Sequence, residues 1–372
     1  MAKFLDLFSG IGGFRLGMTA AGHECIGHCE IDKYARASYN AIYNTESEIE
    51  FHDITQISDS TFRKFRGIVD IICAGFPCQP FSIVGNGKGF DDTRGTLFFE
   101  IERATKEIKP RYLFLENVKG LLSHDKGRTF SVIINALDEL GYRVEWCVLD
   151  SKYFNVPQQR ERTFIIATRK DIQQKPILFS VWLNNRTVTQ RLQDILEDQV
   201  DERFYLSEEK TSRLIAELED MPVHHSLLDT RHRSADMKAG KKGIRVSNDI
   251  CPTITASDTK DLKKIVEVST HPIKLGNIDL NGHDYIKRVY SPFGQSPTLT
   301  TMTGGNTEPK IAELYKQYRI RKLTPKECWR LQGFPDWAFD RAASVNSNSQ
   351  LYKQAGNSVT VNVIAEIAKH LI

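Results

Sequence analysis

Over its first 170 residues the chain repeats one unit: a short apolar run, a turn or loop, then a helical pattern. The apolar runs Lys3–Phe8, Glu24–Cys29, Val69–Ala74, Arg111–Glu116, Arg143–Leu149 and Thr163–Thr168 are too short for core helices and rich in Ile, Val, Phe or Leu, so they read as strands. Helices are expected at Gly13–Ala21, Lys33–Tyr43, Thr96–Lys109 and Thr129–Leu140. Strand and helix in alternation predict an α/β fold: a doubly wound, mostly parallel sheet covered on both faces. Such sheets bind ligands at the carboxyl ends of their strands, near the point where strand order reverses. Function is therefore to be sought in the loops that follow the strands.

The rhythm stops near residue 173. At roughly 150 residues per domain, 372 residues hold about two and a half domains. Residues 201–220 carry seven acidic and three basic side chains and read as a solvated helix; residues 231–245 carry six basic and one acidic. Thr- and Gly-rich extended pieces follow, including the paired echoes CPTITAS at 251–257 and SPTLTTM at 296–302. Helical character returns at Thr324–Gln332, with Pro325 at the first helical position, and at Val359–Leu371. The expected organisation is a catalytic domain over 1–184, a second, smaller domain over 185–315, and a return over 316–372 that completes the first.

Overall charge excludes little, since 50 Lys and Arg face 47 Asp and Glu for a net of +3; any basic surface must be local. Seven cysteines, at 25, 29, 73, 78, 147, 251 and 328, form no CxxC pair, which favours a reducing compartment and disfavours zinc. There is no secretory leader pattern and no apolar run of the roughly 18 residues a membrane span needs, so a soluble, cytoplasmic protein without a membrane partner is expected.

Chemistry-bearing residues cluster at strand ends. DLFSGIGGFRLG at 6–17 joins a strand to a helix through Gly10, Gly12 and Gly13, a turn that suits an adenosine-bearing cofactor or a phosphate without matching GxGxxG. Glu30, at the end of the next strand, stands where a carboxylate accepts ribose hydroxyls, and Asp53 where one accepts an adenine amine. Nicotinamide, flavin and S-adenosylmethionine all fit this much. Cys78 in GFPCQPFS is bracketed by two prolines, and a rigid loop presents a nucleophile well. Glu116 closes another strand, while alternation in PQQRER at 157–162 sends Arg160 and Arg162 to one face and Glu161 to the other. A thiolate adding to C6 of cytosine makes C5 nucleophilic if one group holds a proton at N3 and another steadies O2; Cys78, Glu116 and Arg162 have those side chains.

Taken together, these motifs resemble the DNA (cytosine-5) methyltransferases of the bacterial restriction–modification type. The resemblance rests on the segments quoted above together with RGTLFFEI at 94–101, ENV at 116–118, RKLTPKECWRLQGFP at 321–335 and AGNSVTVNV at 355–363, in the family's order. It implies the S-adenosylmethionine-dependent methyltransferase fold with a target-recognition domain in the interval. It implies Cys78 as the nucleophile at C6, Glu116 on N3 and the exocyclic amine, Arg162 on O2, and Arg160 placing the active-site loop. The cofactor pocket would be lined by Phe8, Gly10, Ile11, Gly12, Glu30, Ile31, Asp53, Ile54, Pro77, Leu97, Asn357 and Ser358. Ile31 stands where many members have a large aromatic side chain against the adenine.

Gln79–Gly95 resembles the loop that closes over a flipped base, because the base must leave the helix before a buried thiolate can reach it. Arg231, Arg233, Lys238, Lys241, Lys242 and Arg245 are candidates for phosphate contacts, Thr298 and Thr300 for the segment facing the major groove. The resemblance further implies duplex DNA as partner, a cognate restriction endonuclease as functional associate, action as a monomer, and a place at the nucleoid when bound. The alternatives are a transfer-RNA cytosine-5 methyltransferase, whose Cys-Phe-Thr segment is missing here, a catalytically inactive DNA-binding relative, and an NAD-type dehydrogenase, which would bind nicotinamide tightly and not need Cys78.

Overall fold

The computed structural model describes residues 1–77, 97–173, 175–178, 181, 187–205, 207, 209, 226–229, 245–248, 274–277, 288–290, 295–299, 310–313 and 319–371. Cys78, the Gln79–Gly95 loop, Arg231, Arg233, Lys238, Lys241, Lys242 and Thr300 lie outside them, and Arg245 is described only as backbone. The chain divides into two compact units. The first comprises Met1–Gln190, Thr298–Gly305 and Pro325–Ile372, the second Arg191–Pro297 and Asn306–Thr324.

Seven strands form the sheet of the first unit: β1 (Lys3–Leu7), β2 (Glu24–Cys29), β3 (Ile49–Phe51), β4 (Ile71–Gly75), β5 (Tyr112–Val118), β6 (Tyr142–Asp150) and β7 (Glu161–Arg169), in the order β3-β2-β1-β4-β5-β7-β6. β1 to β5 pair in parallel; β7 runs antiparallel to both β5 and β6. Strand order reverses between β1 and β4, which sets the ligand crevice at their carboxyl ends.

Alternation along the buried strands builds two apolar layers. One face sends Leu5, Leu7, Ile72, Leu113 and Leu115 against α3 (Asp59–Arg63), α4 (Leu97–Ile108) and α5 (Arg128–Glu139), through Phe62, Phe98, Ile101 and Ile133. The other sends Phe4, Ile71, Cys73 and Phe114 against α1 (Gly13–Ala20) and the C-terminal helix Val361–Ala368, through Phe14, Met18, Ile364 and Ile367. The two chain ends thus close the same layer. α1 and the C-terminal helix meet at Gly17, where a Cβ would stand 2.7 Å from Ile364 Cβ and 2.8 Å from the Val361 carbonyl oxygen.

Each expected strand and helix of residues 1–170 is present to within a few residues. The three-residue strand β3 and the short α3 are additions. So are α7 (Asp336–Ala343) and α8 (Asn348–Asn357), which stand between α6 (Pro325–Leu331) and the C-terminal helix, α9; α2 is Lys33–Ile42. The cysteines and histidines at 23–29 are buried. Among the described residues no cluster of three or more His, Cys, Asp or Glu could hold a metal, and no helix is long and apolar enough to cross a membrane.

In the second unit β8 (Ser226–Asp229) pairs antiparallel with β9 (Arg245–Asn248), and β10 (Lys274–Asn277), β11 (Arg288–Tyr290), β12 (Lys310–Glu313) and β13 (Arg319–Lys322) form a sheet in that order. Most of the solvated helix expected over 201–220 lies outside the described residues. Glu202–Phe204 is a single 3₁₀ turn, capped by Asp201, and Tyr205 bridges to Arg321.

Candidate active site

A cavity of about 670 Å³ opens at the carboxyl ends of β1, β2, β4 and β5, within the roughly 300–1,000 Å³ usual for ligand sites. The Phe8–Gly13 turn forms one wall. Phe8 and Gly10 both take left-handed backbone, at φ 55° and 56°; for Phe8 that is a strained conformation held by its surroundings. A Cβ at Gly10 would meet nothing within 4 Å, so the turn leaves its backbone open to close approach. Gly12 has another task. It caps α1 at φ 81°, does not line the cavity, and its carbonyl accepts a 2.8 Å bond from the Tyr43 hydroxyl.

Glu30 follows β2, and its carboxylate is fixed by two backbone donors. Gly10 N–H bonds Oε2 and Asp32 N–H bonds Oε1, each at 2.8 Å. One side chain thereby ties the glycine turn to the start of α2, and each oxygen keeps a lone pair for a further donor. Ile31, 70% exposed, offers an aliphatic surface at the cavity edge. Asp53 caps the 3₁₀ turn Ile54–Gln56 through Oδ1, which accepts from the Thr55 amide and hydroxyl. Ile54, Pro77, Leu97, Asn357 and Ser358 line the same space. With a carboxylate at ribose height, an apolar face and an open glycine backbone, the residues present fit an adenosine-bearing sulfonium cofactor.

The opposite wall is charged. β5 and β7 pair with Val118 opposite Arg162 and Glu116 opposite Phe164, so Glu116 and Arg162 are diagonal neighbours, and Arg162 Nε stands 3.2 Å from Glu116 Oε1. Glu116 is buried; burial raises its carboxyl above the ordinary range, against the pull of Arg162 and then Arg160. Burial lowers Arg162 in turn, with Glu116 opposing. Beside them Asn117 donates 2.8 Å to the Phe76 carbonyl, and its own oxygen accepts from the Val118 amide. That bond fixes the end of β4 where the chain leads through Pro77 to Cys78.

Arg160, 3% exposed, also lines the cavity; its two terminal nitrogens donate to carbonyls, while its buried Nε has no close hydrogen-bond partner among the described residues. Nη1 donates to Leu299 at 3.2 Å, and Nη2 donates to Gly356 at 3.3 Å and Ser358 at 2.8 Å. Burial first, then the Arg162 charge, bring its guanidinium down to about 9. Glu161 points away and pairs with Lys119. The Thr298 hydroxyl donates 2.6 Å to the Gln159 carbonyl.

The cavity thus brings together Glu116, Arg160, Arg162 and Thr298 with every cofactor candidate except Gly12. Sequence reasoning assigned no site role to Asn117, Asp32, Lys353 or Gln354. Lys353 Nζ meets the Asp32 carboxylate at 2.7 Å across the cavity rim, and Gln354 bonds Ser38 and the Tyr34 carbonyl of α2. The signals available were that Asn117 lies inside ENV, that Asp32 stands two residues after Glu30, and that Lys353 and Gln354 immediately precede AGNSV.

A sheet of this order, with one reversed strand beside β5 and an acid–arginine pair facing a nucleoside-type crevice, defines an S-adenosylmethionine-dependent methyltransferase. The chain belongs to the C-5 cytosine-specific DNA methylase family, whose model matches residues 2–372. It is an enzyme, a DNA (cytosine-5-)-methyltransferase whose methyl donor is S-adenosylmethionine. It is 37% identical over 498 aligned residues to the orphan methyltransferase M.Rho11sI of Bacillus phage rho11s, covering 100% of this chain and 97% of that protein. To the type II methyltransferase M.HhaI of Haemophilus parahaemolyticus it is 34% identical over 370 residues, with 99% and 94% covered. The crystal structure of the S. pombe Dnmt2 methyltransferase shares the fold at TM-score 0.66 and 18% identity, with 100% of this chain and 98% of that chain covered.

Proposed function

We propose that the protein methylates C5 of a cytosine flipped out of a specific duplex DNA sequence, through a covalent bond between Cys78 and C6, and that this mark protects DNA from a cognate restriction endonuclease. The observation that carries the reading is the pairing of buried Glu116 with half-buried Arg162 on the wall of the cavity that Glu30 also lines.

The roles follow from chemistry. Glu116, whose carboxyl burial raises, shares a proton with N3 and accepts from the exocyclic amine. Arg162 steadies O2. Both draw electron density from the ring, so the Cys78 thiolate can bond C6 and leave C5 electron-rich. S-adenosylmethionine, when bound, supplies the electrophilic methyl group that C5 takes. Water then accepts the C5 proton, the Cys78–C6 bond breaks, and the thiolate leaves as Glu116 recovers its proton. Glu30 would accept the ribose hydroxyls, Asp53 an adenine donor, and Ile31 would cover the purine face.

The interval 185–315 is the recognition domain in this reading. Its basic run, Arg231 to Arg245, lies against phosphates and orients the duplex, while Thr298 and Thr300 flank the flipped-base pocket. Bisulfite sequencing of DNA from cells expressing the protein identifies the target. Duplexes carrying 5-fluorocytosine at that position cannot release the C5 substituent and trap the enzyme. With S-adenosylmethionine, a denaturant-resistant adduct is expected for the wild type and none for Cys78→Ser. A Cys78→Ser protein that methylated DNA near the wild-type rate would overturn the covalent route; methyl transfer to transfer RNA and none to duplex DNA would overturn the substrate.

A further inference from the structure

The Phe8–Gly13 turn is held at two points. At the cavity, Glu30 Oε2 accepts from the Gly10 amide at 2.8 Å. Away from the cavity, which neither Gly12 nor Tyr43 lines, the Tyr43 hydroxyl donates to the Gly12 carbonyl at 2.8 Å, with the Ile11 carbonyl at 3.4 Å. The approach is close. A Cβ at Gly12 would stand 2.7 Å from the hydroxyl oxygen and nearer still to the ring, so only glycine admits Tyr43 here. The ring is itself fixed by neighbours: Arg15 lies over it at 4.5 Å from the centroid, and Tyr39 meets it edge-on at 4.8 Å. Arg15 is in turn paired with the Glu48 carboxylate and donates to the Tyr39 hydroxyl at 3.4 Å.

We propose that Tyr43 is a positioning residue for the cofactor: its hydroxyl holds the glycine turn in the shape that binds S-adenosylmethionine, without touching the cofactor itself. The inference rests on the cofactor placement proposed above. Phe8 and Gly10, both left-handed, give the turn a shape that persists only while its surroundings enforce it. The Gly12 carbonyl already accepts from the Leu16 amide at 2.9 Å, so the Tyr43 bond is not needed to satisfy it. What the second bond adds is a tie to α2. Glu30 joins the turn to the start of that helix through the Asp32 amide, and Tyr43 joins it to the residue where the helix ends. With both ties made, the turn and the Glu30 carboxylate keep one spacing. Without the hydroxyl the free turn spends part of its time in other conformations, and apparent cofactor affinity falls with the competent fraction.

Tyr43→Phe removes the oxygen and keeps the ring beneath Arg15. On the full chain, calorimetric titration with S-adenosylhomocysteine should give a Kd raised about 3–10-fold. Initial rates on duplex DNA carrying the site found by bisulfite sequencing should show KM for S-adenosylmethionine raised likewise, with kcat within about 2-fold of wild type. Melting supplies a readout independent of turnover. The bound product forces the turn into shape without its tie, so the Tm deficit of Tyr43→Phe should widen at saturating S-adenosylhomocysteine. A hydroxyl that served stability alone would lower Tm equally with and without ligand and leave Kd unmoved. Glu30→Gln is titrated alongside. If it weakens binding while Tyr43→Phe stays within about 1.5-fold of wild type, the inference is overturned and the cofactor placement stands. If neither variant weakens binding, both are overturned.

Discussion

Replacing Glu30 by glutamine changes one oxygen to an NH₂ group and almost nothing in shape. In the native site both carboxylate oxygens accept a backbone N–H at 2.8 Å, from Gly10 and from Asp32. The glutamine amide would have one acceptor for two donors, and turning it over only exchanges which N–H faces an NH₂. A hydrogen bond to a charged group contributes about 1.5–3 kcal/mol, and a buried donor left unpaired costs about 1–3 kcal/mol. In the free protein the glycine turn relaxes toward water, so stability should fall by about 1–2 kcal/mol, a few degrees in Tm for a unit of this size. In the complex the loss recurs at the ribose, where one acceptor is gone and the turn must be re-ordered. A further loss of about 1.5–3 kcal/mol there is a Kd for S-adenosylhomocysteine raised about 10- to 150-fold. Isothermal titration calorimetry reads this directly, with methyl transfer at saturating cofactor as control, which should recover most of the wild-type rate. A Kd within about 3-fold of wild type, together with an unchanged Tm, would refute both the ribose assignment and the claim that this carboxylate orders the turn.

Three further outcomes are expected. Glu116→Gln should slow single-turnover methyl transfer by about 10²–10⁴-fold with gel-shift affinity for DNA retained. In the wild type the rate should fall as pH rises through the raised Glu116 value, because the proton donor is lost, and the Glu116→Gln variant should lack that limb; parallel pH profiles would contradict the donor role. Asp6 is fully buried, neither oxygen has a close hydrogen-bond partner, and burial raises its carboxyl well above the ordinary range, against Arg15. The native state therefore holds a proton that the unfolded chain has released above its ordinary pKa. Stability should decline with rising pH by up to about 1.4 kcal/mol per pH unit until the folded pKa is passed, and urea melts should show Asp6→Asn gaining on the wild type over that range. A constant difference would exclude this source of pH dependence. Gly17→Ala places a methyl group 2.7 Å from Ile364 Cβ and 2.8 Å from the Val361 carbonyl oxygen, so despite alanine's helix propensity it should lower stability by about 1–3 kcal/mol. A raised Tm would show that α1 and α9 separate at little cost.

The strands and the residues at their ends were legible because both obey local rules: Glu30 and Glu116 stand where an apolar run stops, and alternation alone predicted that Arg160 and Arg162 would share a face. β3 was not, since an edge strand of three residues with a central Glu50 has no pattern to read. α8 escaped for a similar reason, its sequence NSQLYKQAGN carrying few apolar side chains. Lys353 acquires its place from Asp32, 321 residues away, and no local spacing encodes such a contact. The place of Gly12 was not legible, because a glycine that faces a cavity and one that caps a helix look identical in sequence. Tyr43, packed over it, makes the distinction.

The reversal of β7 matters beyond its place in the sheet. In a sheet with all strands aligned, the groups facing a ligand come from segments entered after each strand ends, and these are the freest parts of the backbone. Turning one strand around brings its entry to the ligand's side, so Arg162 faces the cavity from inside a nine-residue strand clamped by β5 and β6. One inverted strand thus mounts a cation on framework, held to its acid partner by ladder bonds on both sides, where a connecting segment would have left the spacing of the two charges to chance.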